Sequence, residues 1–157
     1  GTRRPLGVGA GSLAVLAWLP PAERARRLQQ TARKLANYPQ LDAASIAAEA
    51  DAACARGYVL FLDWVVEGMG GIAVPILDYD GWPIGALSVA ALSTRIRSRE
   101  AAMARLLRQE ARRITSAWTR AVVPAGGTQR AGPRSRGASA SGISTSKRST
   151  ALAKALP

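Results

Sequence analysis

A chain of 157 residues with 48% hydrophobic content can bury the core of one domain, and its formal net charge of +12 marks it as unusually basic. It has no histidine and a single cysteine, Cys54. That composition excludes an internal disulfide, the usual Ser-His and Cys-His catalytic pairs and the common zinc sites.

In chain order, Leu13 to Leu19 is apolar nearly all round and predicts a short buried helix. Arg3-Arg4, this apolar run and Pro20-Pro21-Ala22 imitate a secretory signal, but the run is too short to span a bilayer and reads as a buried helix. Pro20-Pro21 ends it and opens a second helix over Ala22–Ala36, with Ala25, Leu28, Ala32 and Leu35 as its inward stripe and Arg24 off it. A third helix starts at the N-cap Asp42, runs through Ile46, Ala50 and Ala53 to Arg56, and stops at Gly57. Cys54 lies in it as a small residue expected to be buried.

Tyr58 to Leu62 reads as a strand, Gly68 to Gly71 as a loop, and Ile72 to Leu77 as a second strand with an edge or bulge at Pro75. Asp80-Gly81 signals a hairpin turn in which both residues accept positive φ, and Ile84 to Leu92 is the returning strand. Ser98 caps a final helix to about Val122, whose core stripe is Met103, Leu107, Ala111, Ile114, Trp118 and Val122. From Pro124 onward Gly, Ser, Ala and Arg dominate without periodicity. Residues 124–157 therefore read as a disordered basic tail behind a domain of residues 1–123. Through Val123 there are 16 basic and 10 acidic residues, and after it 6 basic and none acidic. The element order predicts an α+β domain, an antiparallel sheet with packed helices.

Among motifs, Gly7-Val8-Gly9-Ala10-Gly11 lacks the spacing and preceding strand of a dinucleotide fingerprint, but Gly9, Ala10 and Gly11 amides at a helix start suit an anionic oxygen. Asp78 and Asp80 flank a turn and are explained by it. Asp63 and Glu67 lack a ligand cluster, so no metal and no cofactor is expected. Strand alternation puts Ala86, Ser88 and Ala90 on one face. From the residues alone, Ser88 is equally a satisfied core hydroxyl or a ligand contact.

Gly57-Tyr58, Gly68 to Asp78, Asp80 to Val89 and Thr94-Arg95-Ile96, with the Gly-rich segment before and the basic helix after, carry a family likeness. Over residues 5–122 the chain resembles the C-terminal effector-binding domain of IclR-type bacterial transcription regulators. The resemblance implies a GAF-like fold truncated on its N-terminal side, and a function in binding a small-molecule effector and in oligomerisation rather than an enzymatic one. It also implies a homodimer or homotetramer, a cytoplasmic location without membrane contact, and DNA read by a winged helix-turn-helix domain absent from this chain.

In well-known members two Ser on the returning strand hold the effector carboxylate, with an Asp and a Cys from earlier strands. By position these fall at Ser88, Ala90, Phe61 and Gly71, so one of four polar groups remains. With Gly9 and Ala10 at the helix start and Met69 beside the strand, the implied pocket suits a larger, more apolar effector such as an aromatic or hydroxyaromatic acid, with an aromatic wall at Phe61 and room at Gly71 and Ala90. Two rival readings stand beside it: a basic nucleic-acid-binding protein acting through its tail, and a small hydrolase or transferase, which has no nucleophile–base pair in its favour.

Overall fold

The computed structural model describes residues 4–122, so the basic tail expected over residues 124–157 lies outside the described residues. Four helices, α1 (Ala10–Ala17), α2 (Pro21–Ala32), α3 (Ala43–Arg56) and α4 (Ser93–Val122), accompany three strands, β1 (Val59–Leu62), β2 (Met69–Leu77) and β3 (Pro83–Leu92). The sheet is antiparallel with the order β1-β2-β3. This is the expected α+β build.

Each face of the sheet carries its own apolar layer, because successive strand residues point to opposite sides. On one side Val59, Phe61 and Ala73 meet α1, whose Leu13, Ala14, Leu16 and Ala17 are almost wholly inaccessible, and α3 closes over it with Ile46, Ala50 and Ala53. On the other side Ile72 and Val74 pack against Ile96, Ala104, Leu107 and Ala111 of α4. With apolar contacts all round, α1 is the central helix its composition implies.

Local chemistry sets the ends. Asp42 accepts from the Ser45 amide at 2.6 Å while the Ser45 hydroxyl accepts from the Asp42 amide at 3.1 Å, a reciprocal cap on α3. Gly57 terminates it in the left-handed region at φ 84°. In α2 the helix gives way to a 3₁₀ turn, Arg33–Asn37, inside the span read as one helix. Leu28 and Leu35 are buried but Ala25 and Ala32 are exposed. Arg24, expected off the stripe, turns inward to pair with Asp51 at 2.6 Å and to donate to the Ala17 carbonyl at 3.2 Å.

Other expectations need correction. α1 starts at Ala10, three residues early, since Gly9 at φ 98° turns the chain into it and the Gly7 amide donates to Ser12 Oγ at 2.9 Å. Met69 to Gly71 is strand and not loop, because Gly70 and Gly71 pair with Leu62 and Phe61. β1 begins at Val59, opposite Ala73, so β2 has only one ladder partner at Pro75, and an irregularity follows at Ile76/Leu77. At the hairpin only Gly81 has positive φ. Asp78 Oδ1 accepts from the Asp80 and Trp82 amides at 3.0 and 2.8 Å, which explains this carboxylate by its turn.

The last helix begins at Ser93, five residues before the Ser98 cap, and breaks its helical dihedrals at Arg99. Its stripe fails toward the end: Ile114 and Trp118 are 40% and 50% exposed. Beyond Ala111 the helix passes the end of β2, to which Thr115 Oγ1 is still tied by donating to the Leu77 carbonyl at 2.8 Å. Cys54 is exposed and not buried as expected, although its thiol donates to the Ala17 carbonyl at the end of α1 at 3.2 Å.

Candidate functional site

The N-terminus of α1 rests on the sheet where β1, β2 and β3 run side by side. Register places Phe61 opposite Gly71 and Gly71 opposite Ala90, a single cross-strand row, with Ser88 opposite Ala73 in the next row on that face. Between this floor, α1 and the β1–β2 loop lies an open cleft of about 380 Å³. All seven residues singled out from the sequence, Gly9, Ala10, Phe61, Met69, Gly71, Ser88 and Ala90, line it.

Gly71 does not supply the room expected of it. A Cβ built there would sit 2.7 Å from Ala10 Cβ, so the missing side chain is already replaced by α1. Its effect is to let the helix start descend onto the strand. Gly11 lies over Ser88, since a Cβ on it would stand in ordinary contact, 3.4 Å from Ser88 Oγ. The first-turn amides of α1, which have no carbonyl partner within the helix, are thereby held beside the Ser88 hydroxyl. Ser88 is exposed to the cleft, and its hydroxyl makes no hydrogen bond among the described residues. It is not a satisfied core hydroxyl.

The apolar wall comes from Met69, Val65, Val66 and Ala90, over a floor of Phe61. Phe61 is buried and meets Trp64 edge-on, ring centroids 5.0 Å apart. The β1–β2 loop is braced at Asp63, whose φ of 65° is unusual for a residue with a side chain. Its Oδ1 accepts from Ser93 Oγ at 2.6 Å and from the Gly68 amide at 3.0 Å, tying the loop to the start of α4.

Arg4, Ser12, Val65, Val66, Gly70 and Val89 also line the cleft and escaped the sequence reading, and of these only Arg4 is charged. Arg4 stands at the cleft and forms no ion pair among the described residues. One arginine of the Arg3-Arg4 pair, ahead of a Gly-rich loop, has no local pattern that announces it as a site residue. Among the described residues no Asp or Glu lines the cleft. One guanidinium and a helix start, unopposed by any carboxylate, give the cleft a positive field that favours an anion, while its walls favour an apolar body.

Among the described residues no group of three or more His, Cys, Asp or Glu could hold a metal ion, and no helix is long and apolar enough to cross a membrane.

The family model described as "Bacterial transcriptional regulator IclR C-terminal" matches residues 1–116. Similar solved structures include the C-terminal domain of the Escherichia coli transcriptional regulator KdgR, at 25% identity and a TM-score of 0.63, covering 74% of this chain and 72% of that one. The Thermotoga maritima IclR matches at 20% identity and a TM-score of 0.65, over 74% of this chain and 48% of that one. The inducer-binding domain of an Acinetobacter PobR double mutant, in complex with 3-hydroxybenzoic acid, matches at 21% identity and a TM-score of 0.60, covering 73% and 67%. The chain thus spans about half the length of the Thermotoga regulator. No curated protein matches it.

Proposed function

The chain belongs to the IclR family of bacterial transcriptional regulators, through their C-terminal domain, and on that premise we propose that its cleft senses an aromatic or hydroxyaromatic acid. The observation that carries this reading is the free Ser88 hydroxyl set beside the α1 amides in a cleft with Arg4 and no acidic side chain. The effector carboxylate meets Ser88, the Ala10 and Gly11 amides and Arg4, and its ring lies against Met69, Val65 and Ala90 above Phe61. Loss of polar partners at Phe61, Gly71 and Ala90 argues against a very small polar acid, whose unmatched groups would cost several kcal/mol on burial. The 3-hydroxybenzoic acid bound by the PobR domain, a protein of the same fold, is of the chemical class proposed.

An enzymatic role has less support, since Ser88 has no base beside it and the chain has no histidine. In the same reading the module works in the cytoplasm as part of a homo-oligomer, for which the exposed Ile114 and Trp118 offer an apolar face. DNA sequence is read by a winged helix-turn-helix domain outside this chain, and the functional domain comprises residues 1–123.

A thermal-shift panel of two- and three-carbon keto acids against benzoate and hydroxybenzoates, with Ser88→Ala alongside, tests the proposal. The aromatic acids should raise Tm and Ser88→Ala should reduce the rise. Losing one hydrogen bond to a charged group, worth about 1.5–3 kcal/mol, weakens affinity roughly ten- to hundred-fold. Stabilisation by the small acids alone, with Ser88→Ala indifferent, would overturn it.

A further inference from the structure

The net charge of this protein is not spread over its surface. Residues 1–92 carry eight basic and eight acidic side chains, whereas residues 93–157 carry fourteen basic and two acidic, so the entire +12 lies from α4 onward. α4 alone holds eight arginines, no lysine and two glutamates. Before α4, four of the six described arginines pair with acids, Arg4 and Arg33 being the exceptions. Arg26 and Arg27 bond Glu23 at 2.7 Å and hold its carboxyl down to about 2, while Arg24 and Arg56 pair with Asp51 and Glu49. On α4 only Arg97 and Arg113 find an acid, and the former only at 3.9 Å. Arg95, Arg99, Arg105, Arg108, Arg112 and Arg120 have no ion pair among the described residues.

Helical geometry gathers several of these cations. At 3.6 residues per turn, Arg105, Arg112, Ser116 and Arg120 fall on one side of α4, away from the buried Ala104, Leu107 and Ala111. Arg112, Arg113 and Arg120 border a shallow concavity of about 350 Å³ with Gln109 and Ser116. From Arg105 to Arg120 the rise is roughly 22 Å, about two-thirds of a duplex turn. The arginine fork matches phosphate oxygens bidentately, which an ordinary solvated face does not require.

We propose that this face of α4 is a duplex-DNA contact surface that grips the phosphate backbone without reading bases. It adds a sequence-independent term to the regulator's affinity and is separate from the effector cleft, with which it shares no residue. The basic residues after Pro124 continue the same charge in sequence.

The test is fluorescence anisotropy of the full chain on short duplexes of unrelated sequence across about 50–200 mM salt. Each lost phosphate contact lowers the slope of log K against log salt by about 0.9, so R105Q/R112Q/R120Q should flatten it by roughly 2.7 at most. The control R26Q/R27Q/R33Q, with the same charge removed, should flatten it by less than half as much, and R105K/R112K/R120K should preserve it. Circular dichroism checks that the variants are folded. An unchanged slope in the glutamine triple would overturn the proposal, as would equal flattening by the control. Polyglutamate binding as tightly as DNA would also overturn it, in favour of an acidic protein partner.

Discussion

Gly71→Ala isolates the contact that fixes the cleft. The added Cβ would lie 2.7 Å from Ala10 Cβ and 3.5 Å from the Val89 carbonyl oxygen. The first distance is about one ångström inside the optimum for two carbons. The obstacle is a methyl fixed to the helix backbone, so no side-chain rotation relieves it. Overpacking of this kind costs about 1–3 kcal/mol, and the lower entropy of alanine in the unfolded chain returns about 0.5–1. From the middle of each range the expected net loss is about 1 kcal/mol, or several degrees in Tm. Because α1 must rise from the sheet to make space, its amides leave Ser88 and acid affinity should fall with stability.

Ala10→Gly removes the opposing methyl at a cost of up to about 1 kcal/mol. In the double variant the two changes should offset, with a coupling energy of about 1 kcal/mol or more. Urea denaturation of the four proteins and calorimetry with a hydroxybenzoate supply the cycle. A Gly71→Ala protein as stable as the parent, or a double variant whose losses simply add, would refute the argument that close approach of α1 builds the site.

Arg4→Gln should weaken binding of an aromatic acid several-fold, with a steeper loss at low salt where the charge is less screened, and calorimetry at two ionic strengths measures it. Asp63→Ala should cost about 1–3 kcal/mol in chemical denaturation, because two hydrogen bonds are lost and alanine is strained at φ 65°, whereas Asp63→Asn should cost markedly less. The Tyr58 hydroxyl donates to Glu100 at 2.5 Å, and that bond together with burial raises the phenol above the usual tyrosine value of about 10. Its folded-state pKa exceeds the unfolded one, so the stability it contributes is complete below about pH 10 and is lost as pH rises through the folded pKa. Tyr58→Phe should flatten that part of the stability profile, read by denaturation between neutral and strongly alkaline pH. Deleting residues 124–157 should leave Tm unchanged, since the segment has no periodic apolar face to bury.

The elements that could be read from sequence are those whose signals are local. Asp42 and Gly57 bracket α3 because capping is decided within one turn, and alternation along β3 put Ala86, Ser88 and Ala90 on the face that meets α1. Failures came where a neighbour decides. Gly70 and Gly71 looked like loop, yet a partner strand and a helix pressed onto Gly71 make them strand. Ile114 and Trp118 kept helical spacing at the end of β2, where they are no longer covered. Arg24 looked like a surface residue until α3 brought Asp51 to it. The candidate site was legible residue by residue through resemblance, but its geometry was not. Arg4 and the reason for Gly71 depend on where α1 lands, which no spacing encodes.

Backbone-amide chemical-shift mapping with a hydroxybenzoate tests the central claim most directly, because a second cavity of about 570 Å³ on the α4 side, bordered by Gly57, Asp78, Arg112 and Thr115, offers the acid another place to bind. The account predicts saturable shifts at Gly9, Ala10, Gly11, Met69, Ser88 and Ala90, with Gly57 and Thr115 still. Shifts confined to Gly57, Asp78 and Thr115, with the α1 amides unmoved, would contradict it.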